Sequence, residues 1–247
     1  MIINQIAAGG GGGIDTSDAT AYPEHILSGY TAYARGSKIV GTKLSDGFIR
    51  YKRHIATPDL SLPVAASISV TIPANIVDGD LIVASVVHRD TVTPPAGFTL
   101  AATVTNSELN QQESIYYKVC AGDAGTVKTF IQATSQRIGV DLIIADCSGE
   151  VSVDTYNTTS STTTPVPFPA VTSSAKGSFC VFLTGGAYTS NVITLSGVDW
   201  ITFNTTGDGQ RIAVAARHVN VGSVPTLTIT HTNSTSIGCV AVIFKAT

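Results

Sequence analysis

The stretch DGDLIVASVV (Asp78–Val87) decides the fold. An Asp-Gly turn opens onto a β-branched, apolar run of strand length, the signature of a strand entering a core. The pattern returns at AKGSFCVFLTGG (Ala175–Gly186), with Gly177 in the place of Gly79. Three more segments repeat in the same order. PPAGFTLAATV with Phe98 aligns with LSGVDWITFNT with Trp200, and QQESIYYKV aligns with DGQRIAVAARHV. TVKTFIQATSQRIGVDLIIA aligns with PTLTITHTNSTSIGCVAVIF, which sets Ile138-Gly139 opposite Ile237-Gly238.

An internal repeat of this kind outranks any single motif. Each copy holds enough strand-length segments for one sheet, and one sheet leaves an apolar face that needs cover. The expected fold is mainly β: an internally duplicated antiparallel β-sandwich, jelly-roll-like, of about ten strands with pseudo-twofold symmetry. Two separate small barrels are the alternative, disfavoured because each half alone is near the lower limit for a self-sufficient core. The copies run over about 63–150 and 163–247, divided by the Thr- and Pro-rich STTTPVPFP (Ser161–Pro169).

Composition agrees with a β-rich chain. Only 13% of the residues are charged while 43% are hydrophobic, against a usual charged fraction of about a quarter. Helical surfaces are normally covered by Glu and Lys, which are scarce here. The net charge of -3 and the lack of basic clusters argue against a nucleic-acid partner. Arg50, Lys52, Arg53 and His54 are the densest basic stretch and are expected to be a solvated linker. Cys120, Cys147, Cys180 and Cys239 form no CxxC pair and are expected as core filler. The first residues lack the basic and apolar regions of a signal peptide, and no run is long enough to span a bilayer, so synthesis in a reducing cytoplasm is expected.

The N-terminal region reads differently. After the apolar arm Met1–Ala8 come five glycines, Gly9–Gly13, with no Gly-Lys-Ser/Thr to make them a phosphate loop. From Asp15 to Lys43 the pattern is a short helical turn over PEHILS (Pro23–Ser28), stopped by Gly29, then a hairpin of TAYA and KIVGTK about Arg35-Gly36-Ser37. So small a helix-plus-hairpin module has little core and would lean on a neighbour. Residues 1–45 are therefore expected to dock, through Ile14, Asp15, Asp18, Ile26, Leu27, Tyr33, Ile39 and Val40. Residues 46–62 are the linker and 63–247 the sandwich.

No catalytic or metal constellation emerges. His25, His54, His88, His218 and His231 are scattered without HxH or HExxH spacing. The carboxylate pairs Asp78/Asp80 and Asp141/Asp146 resemble a glycosidase dyad in type, but Asp78-Gly79-Asp80 is also an ordinary turn. GxSxG is absent, and Ser148-Gly149-Glu150 reads as a strand-end turn. Neither an enzyme nor a cofactor is expected. Phe98 and Trp200 are expected to pack against the sandwich. Tyr188 and Asn191, in the loop GGAYTSN with Thr189 and Ser190, are the candidates for exposed recognition.

The segment GGGGGIDTSDATAYPEHILSGYTAYARGSKIVGTK resembles a short module of tail-associated phage proteins. There a glycine run leads into Asp-Ala-Thr-Ala, a helical turn ending Ile-Leu-Ser-Gly, Thr-Ala-Tyr and a hairpin closing on Val-x-Gly-Thr. Asp18–Ala21, Ile26–Gly29, Thr31–Tyr33 and Val40–Thr42 match, while Pro23 and His25 depart from the more usual Ala and Asp. The remainder is similar to a β-sandwich of phage and bacterial surface proteins, carried here by Gly79-Asp80-Leu81, Pro94–Thr99 and Tyr116–Val119. The resemblance implies a virion component, made in the host cytoplasm: a tail fibre, tip or baseplate protein that docks by its N-terminus. The sandwich would then contact the host surface. Its expected partners are other virion structural proteins, a host cell-surface glycan and further copies of itself, a trimer being favoured, with no membrane insertion. A capsid fibre or head decoration protein is the first alternative, and a carbohydrate-active enzyme the second.

Overall fold

The computed structural model describes residues 31–34, 37–40, 49–56, 64–108, 110–147, 150–186, 193–204, 211–232 and 236–247. Among the described residues there are strands and turns but no helix. The chain divides into two units, residues 1–46 and 47–247. In the first, β1 (Thr31–Ala34) and β2 (Ser37–Val40) pair antiparallel, with Thr31 opposite Val40 and Ala34 opposite Ser37. The helical turn expected over Pro23–Ser28 lies outside the described residues.

The second unit is built from antiparallel sheets. Its first half contains β3 (Arg50–Ile55), β4 (Val64–Thr71), β5 (Leu81–His88), β6 (Val92–Thr93), β7 (Thr99–Asn106), β8 (Gln111–Val119) and β9 (Val127–Asp146). These form a sheet of order β3-β9-β5-β8-β7, with β4 and β6 also on β9. The second half contains β10 (Val151–Ser161), β11 (Thr172–Ser173), β12 (Ser178–Gly186), β13 (Ile193–Ser196), β14 (Ile201–Asn204), β15 (Arg211–Val219), β16 (Gly222–Ser223), β17 (Thr228–His231) and β18 (Ile237–Ala246). Here the order is β10-β18-β12-β15-β14, with β11-β16 and β13-β17 as small separate pairs.

One core joins the two large sheets. Leu81, Val83, Ile115 and Ile143 of the first cluster with Phe179, Val181, Val214 and Val242 of the second. Tyr117 meets Phe244 across it at 5.2 Å between ring centroids. Each sheet also has a second, outward core. Phe98, Tyr116 and Phe130 pack with Val70 and Ile72 on one side. Phe182 and Trp200 pack with Leu195 and Ile229 on the other. Being covered on both faces, every residue of β5 is buried, so its sequence is a continuous apolar run rather than an alternation. Gly79 makes the turn into β5 with a φ of +96°, a left-handed conformation that costs other residues dearly.

Strand β9 serves two layers. Its later residues, Ile138 to Asp146, pair with β5 and β3, while Val127 to Arg137 pair with β4, assisted by β6. The expected count of about ten strands falls below the eighteen among the described residues. It misses the outer pairs, whose two to four residues are too short to carry a pattern.

The expected linker over 46–62 needs correction. Residues 50–55 form β3, an edge strand whose Arg50 lies opposite Asp146 and Ile55 opposite Leu142. Ile49 just before it is fully buried, and its N–H donates to the Gly177 carbonyl at 2.9 Å. The basic side chains hid this strand, and two of them are not solvated linker charges. Lys52 Nζ lies 2.6 Å from Asp80 Oδ1, and His54 Nε2 lies 3.0 Å from Asp141 Oδ2.

Candidate functional site

The strands of the first sheet run between two ends with different chemistry. At one end lie Ile49, Leu81 and Asp146, where the chain comes into the unit. At the other, β5 finishes at His88, the β7–β8 turn passes through Asn110, and β9 runs on through Thr134 to Gln136. A pocket of about 340 Å³ opens there, lined by Arg89, Asp90, Thr91, Asn110, Gln112, Thr134 and Gln136. That volume is at the small end of the usual range for ligand sites, about 300–1,000 Å³.

The pocket is fixed by hydrogen bonds from the sheet beneath it. His88 is buried, with Nδ1 2.6 Å from the Asp90 carbonyl and Nε2 2.8 Å from Ser114 Oγ. Ser114 Oγ in turn lies 2.8 Å from Thr103 Oγ1. Burial pushes the His88 imidazole below its ordinary pKa, against the pull of Asp90 in the other direction. The neutral ring thus pins the Arg89-Asp90 turn. Asp90 accepts from Thr134 Oγ1 at 2.6 Å and from the Thr91 N–H at 2.7 Å. These bonds, the Thr134 hydroxyl foremost, hold its carboxyl below the usual range. Asn110 has a φ of +47°, a turn conformation that asparagine tolerates.

Arg89 has no hydrogen-bond or ion-pair partner among the described residues, and its Nε is buried without an acceptor. A guanidinium in that state is short of an acceptor. Around it stand the amides of Asn110, Gln112 and Gln136, the Thr134 hydroxyl and the Asp90 carboxylate. The arrangement suits a small polar ligand that offers hydroxyls and one anionic group.

Behind this end, between the two large sheets, sits a second unusual residue. Glu113 is fully buried and accepts a hydrogen bond at Oε1 from Gln111 Nε2. Its Oε2 has no partner among the described residues. Burial pushes its carboxyl up to about 8, opposed by the Gln111 bond. The sequence signal was available: in QQESIYYKV, Glu113 has the period-two register of the apolar Ile115.

Each candidate carboxylate from the sequence has a partner of another kind. Asp80 is fully buried and takes Lys52 Nζ on one oxygen and the Val77 N–H on the other. Asp78 accepts from the Gly122 N–H at 2.7 Å. Asp141 faces His54, whose ring stacks on Phe203 at 4.1 Å. Asp146 is exposed and 3.9 Å from Lys52. Ser85 lies opposite Asp141 in the ladder, but its buried hydroxyl has no partner among the described residues. The carboxylate is the middle strand's residue in His54–Asp141–Ser85, whereas a nucleophilic triad needs the imidazole there.

Phe98 and Trp200 are both buried, with the Trp200 Nε1 donating to the Pro225 carbonyl at 3.2 Å. Tyr33, Ile39 and Val40 fall in β1 and β2. Ile14, Asp15, Asp18, Ile26, Leu27, Tyr188 and Asn191 lie outside the described residues. No group of three or more His, Cys, Asp or Glu side chains among the described residues is placed to hold a metal. All four cysteines are free thiols. No helix among the described residues is long and apolar enough to cross a membrane. Compared with known proteins, the chain matches no protein-family model, no curated protein and no solved structure.

Proposed function

We propose that the chain is a non-catalytic structural component of a tailed-phage particle, docked by residues 1–45 and presenting a duplicated β-sandwich to the host surface. One observation carries the presenting role. The chain comes into the second unit at Ile49, and the polar pocket lies at the opposite end of the strands. The eight residues of β5 separate the two ends, roughly 25 Å at about 3.3 Å per residue. A module held by its N-terminal side would therefore hold this pocket away from its support.

The duplication is supported by the matched strand orders. In β9-β5-β8-β7 and β18-β12-β15-β14 the repeated segments occupy the same positions. Each sheet is extended by an edge strand, β3 beside β9 and β10 beside β18. We accordingly set each copy to begin at its edge strand, near Ile49 and Glu150. A non-catalytic role is supported by the carboxylates, whose oxygens serve turns and the β3 clamp. The docking role rests on the sequence resemblance of the glycine run, Asp18–Ala21 and the Thr31–Thr42 hairpin segment.

Cryo-electron microscopy of the intact particle tests the proposal. Density for this chain at the tail, with the Arg89 end outermost, is the expected result. Density on the head would replace the tail role by capsid decoration, and absence from the particle would refute both. A chain lacking residues 1–45 should remain folded and fail to be incorporated.

A further inference from the structure

We infer that the pocket around Arg89 binds an acidic saccharide, taking a sugar carboxylate on Arg89 and ring hydroxyls on the surrounding amides and Asp90. The inference rests on the host-surface proposal for its biological setting, but its chemistry stands on the pocket alone.

The unmatched guanidinium is the starting point. Protein arginines drawn out of water are normally given a carboxylate, a carbonyl or a ring face, because a buried donor without an acceptor is unfavourable. Lys52, Lys118, Lys128 and Lys245 all have carboxylate partners. Arg217 lies over the Trp200 ring and donates to the Val198 carbonyl at 3.0 Å. Among the described residues Arg89 has none of these, although Asp90 is its neighbour in sequence. Asp90 is turned to Thr91 and Thr134 instead. The residue thus lines the pocket without a counter-charge among the described residues, and a planar carboxylate matches its fork.

The rest of the lining decides the class of ligand. An apolar acid would need an apolar wall, and this one is made of amides, a hydroxyl and a carboxylate. Primary amides present both donors and acceptors, as ring hydroxyls do, and Asp90 can accept from a hydroxyl while keeping its own bonds. A bare inorganic anion would leave Asn110, Gln112 and Gln136 without a role and would face the Asp90 charge. A sugar acid answers both signs of charge, since its hydroxyls lie beside the carboxylate and its carboxyl beside the cation. The supports are rigid, because His88 and Ser114 are buried under the Arg89-Asp90 turn.

The test uses the full chain with glucuronate, galacturonate and N-acetylneuraminate as probes, and glucose, galactose and inorganic phosphate as comparators. NMR shifts of the Arg89 Nε–H and titration calorimetry are the readouts. At least one acid should move the Arg89 resonance in a saturable way and bind about tenfold or more tightly than the neutral sugars, in keeping with a charge-assisted pair. Arg89→Gln should lose that preference without lowering the urea midpoint, because Arg89 has no partner to lose among the described residues. Arg89→Lys should fall between the two. Failure of all three acids to move the resonance overturns the inference, as does equal binding by Arg89→Gln. Phosphate binding as tightly as the best acid would mark a plain anion site and also overturn it. Since these measurements need no particle, a negative result here leaves the docking proposal intact. Absence from the particle, in turn, leaves the pocket assignment intact.

Discussion

The Glu113 carboxylate on β8 occupies the space in which a β-carbon on residue 238 of β18 would stand. Gly238 is paired with Gly185 of β12, and there too a β-carbon would collide with Val87 and approach Gln111. Two adjacent strands of one sheet therefore lack side chains under the polar pair of the other.

Gly238→Ala should destabilise the second unit by about 3 kcal/mol, the upper part of the usual overpacking range. Urea denaturation measures this directly. The same substitution in a Glu113→Ala background should cost clearly less, because the obstructing carboxylate is gone. Equal costs in the two backgrounds would show that the steric account is wrong.

Glu113 also sets a pH dependence. The unfolded carboxyl ionises near 4.5, whereas the folded one keeps its proton to about 8. The folded state therefore binds more protons across that window, and stability falls as pH rises through it. Below the window the contribution is fully present, and above about pH 8 no further loss accrues. The sum is a few kcal/mol at about 1.4 kcal/mol per unit. Glu113→Gln should remove this slope, so the difference between the wild-type and variant unfolding curves should widen from pH 5 to 8. Parallel curves would contradict it.

Where the second unit starts can be tested by truncation. A chain beginning at residue 47 should fold, while one beginning at residue 63 should lose Ile49, β3 and the Lys52 and His54 partners of Asp80 and Asp141. Lys52→Ala alone should cost about 1–3 kcal/mol, less than a fully buried pair, since Lys52 is partly exposed and Asp80 keeps the Val77 bond. Circular dichroism melts of the four proteins, wild type included, separate these outcomes.

The cysteines should be inert in the folded protein. Burial pushes the Cys180 and Cys239 thiols up to about 12, and burial, then the Asp146 and Asp80 charges, push Cys147 up to about 11. Burial raises Cys120 as well. Since the thiolate is the reactive form, iodoacetamide at pH 8 should label all four in denaturant and leave the native protein nearly unlabelled. Fast native labelling at Cys180 or Cys239 would show that the outward core of the second sheet opens readily.

Strand content was legible where burial imposed it. DGDLIVASVV and its partner segments each fall on a strand, β5 with β12 and β9 with β18, because a two-sided core demands continuous apolar runs. Phe98 and Trp200 were recognisable as packing residues by their matched positions. Strand β3 was hidden, since RYKRHI shows charge rather than alternation until Asp80 and Asp141 are seen beneath Lys52 and His54. Glu113 was readable from its register with Ile115 but looked like one more polar residue in QQES. The pocket had no local signature at all. Arg89, Asn110 and Thr134 are brought together by the β5, β8 and β9 ladders, and no short motif contains them.

The opposite placement of Ile49 and the Arg89 pocket has a mechanical consequence. Tension applied between these two ends of the unit is directed along β5, β8 and β9. Antiparallel ladder bonds run across the strands, so such a pull loads them sideways and together instead of peeling them one at a time. The second unit is thus built to resist rupture along its strands, while a force applied across them, at the β7 or β14 edge, would unzip it at far lower load.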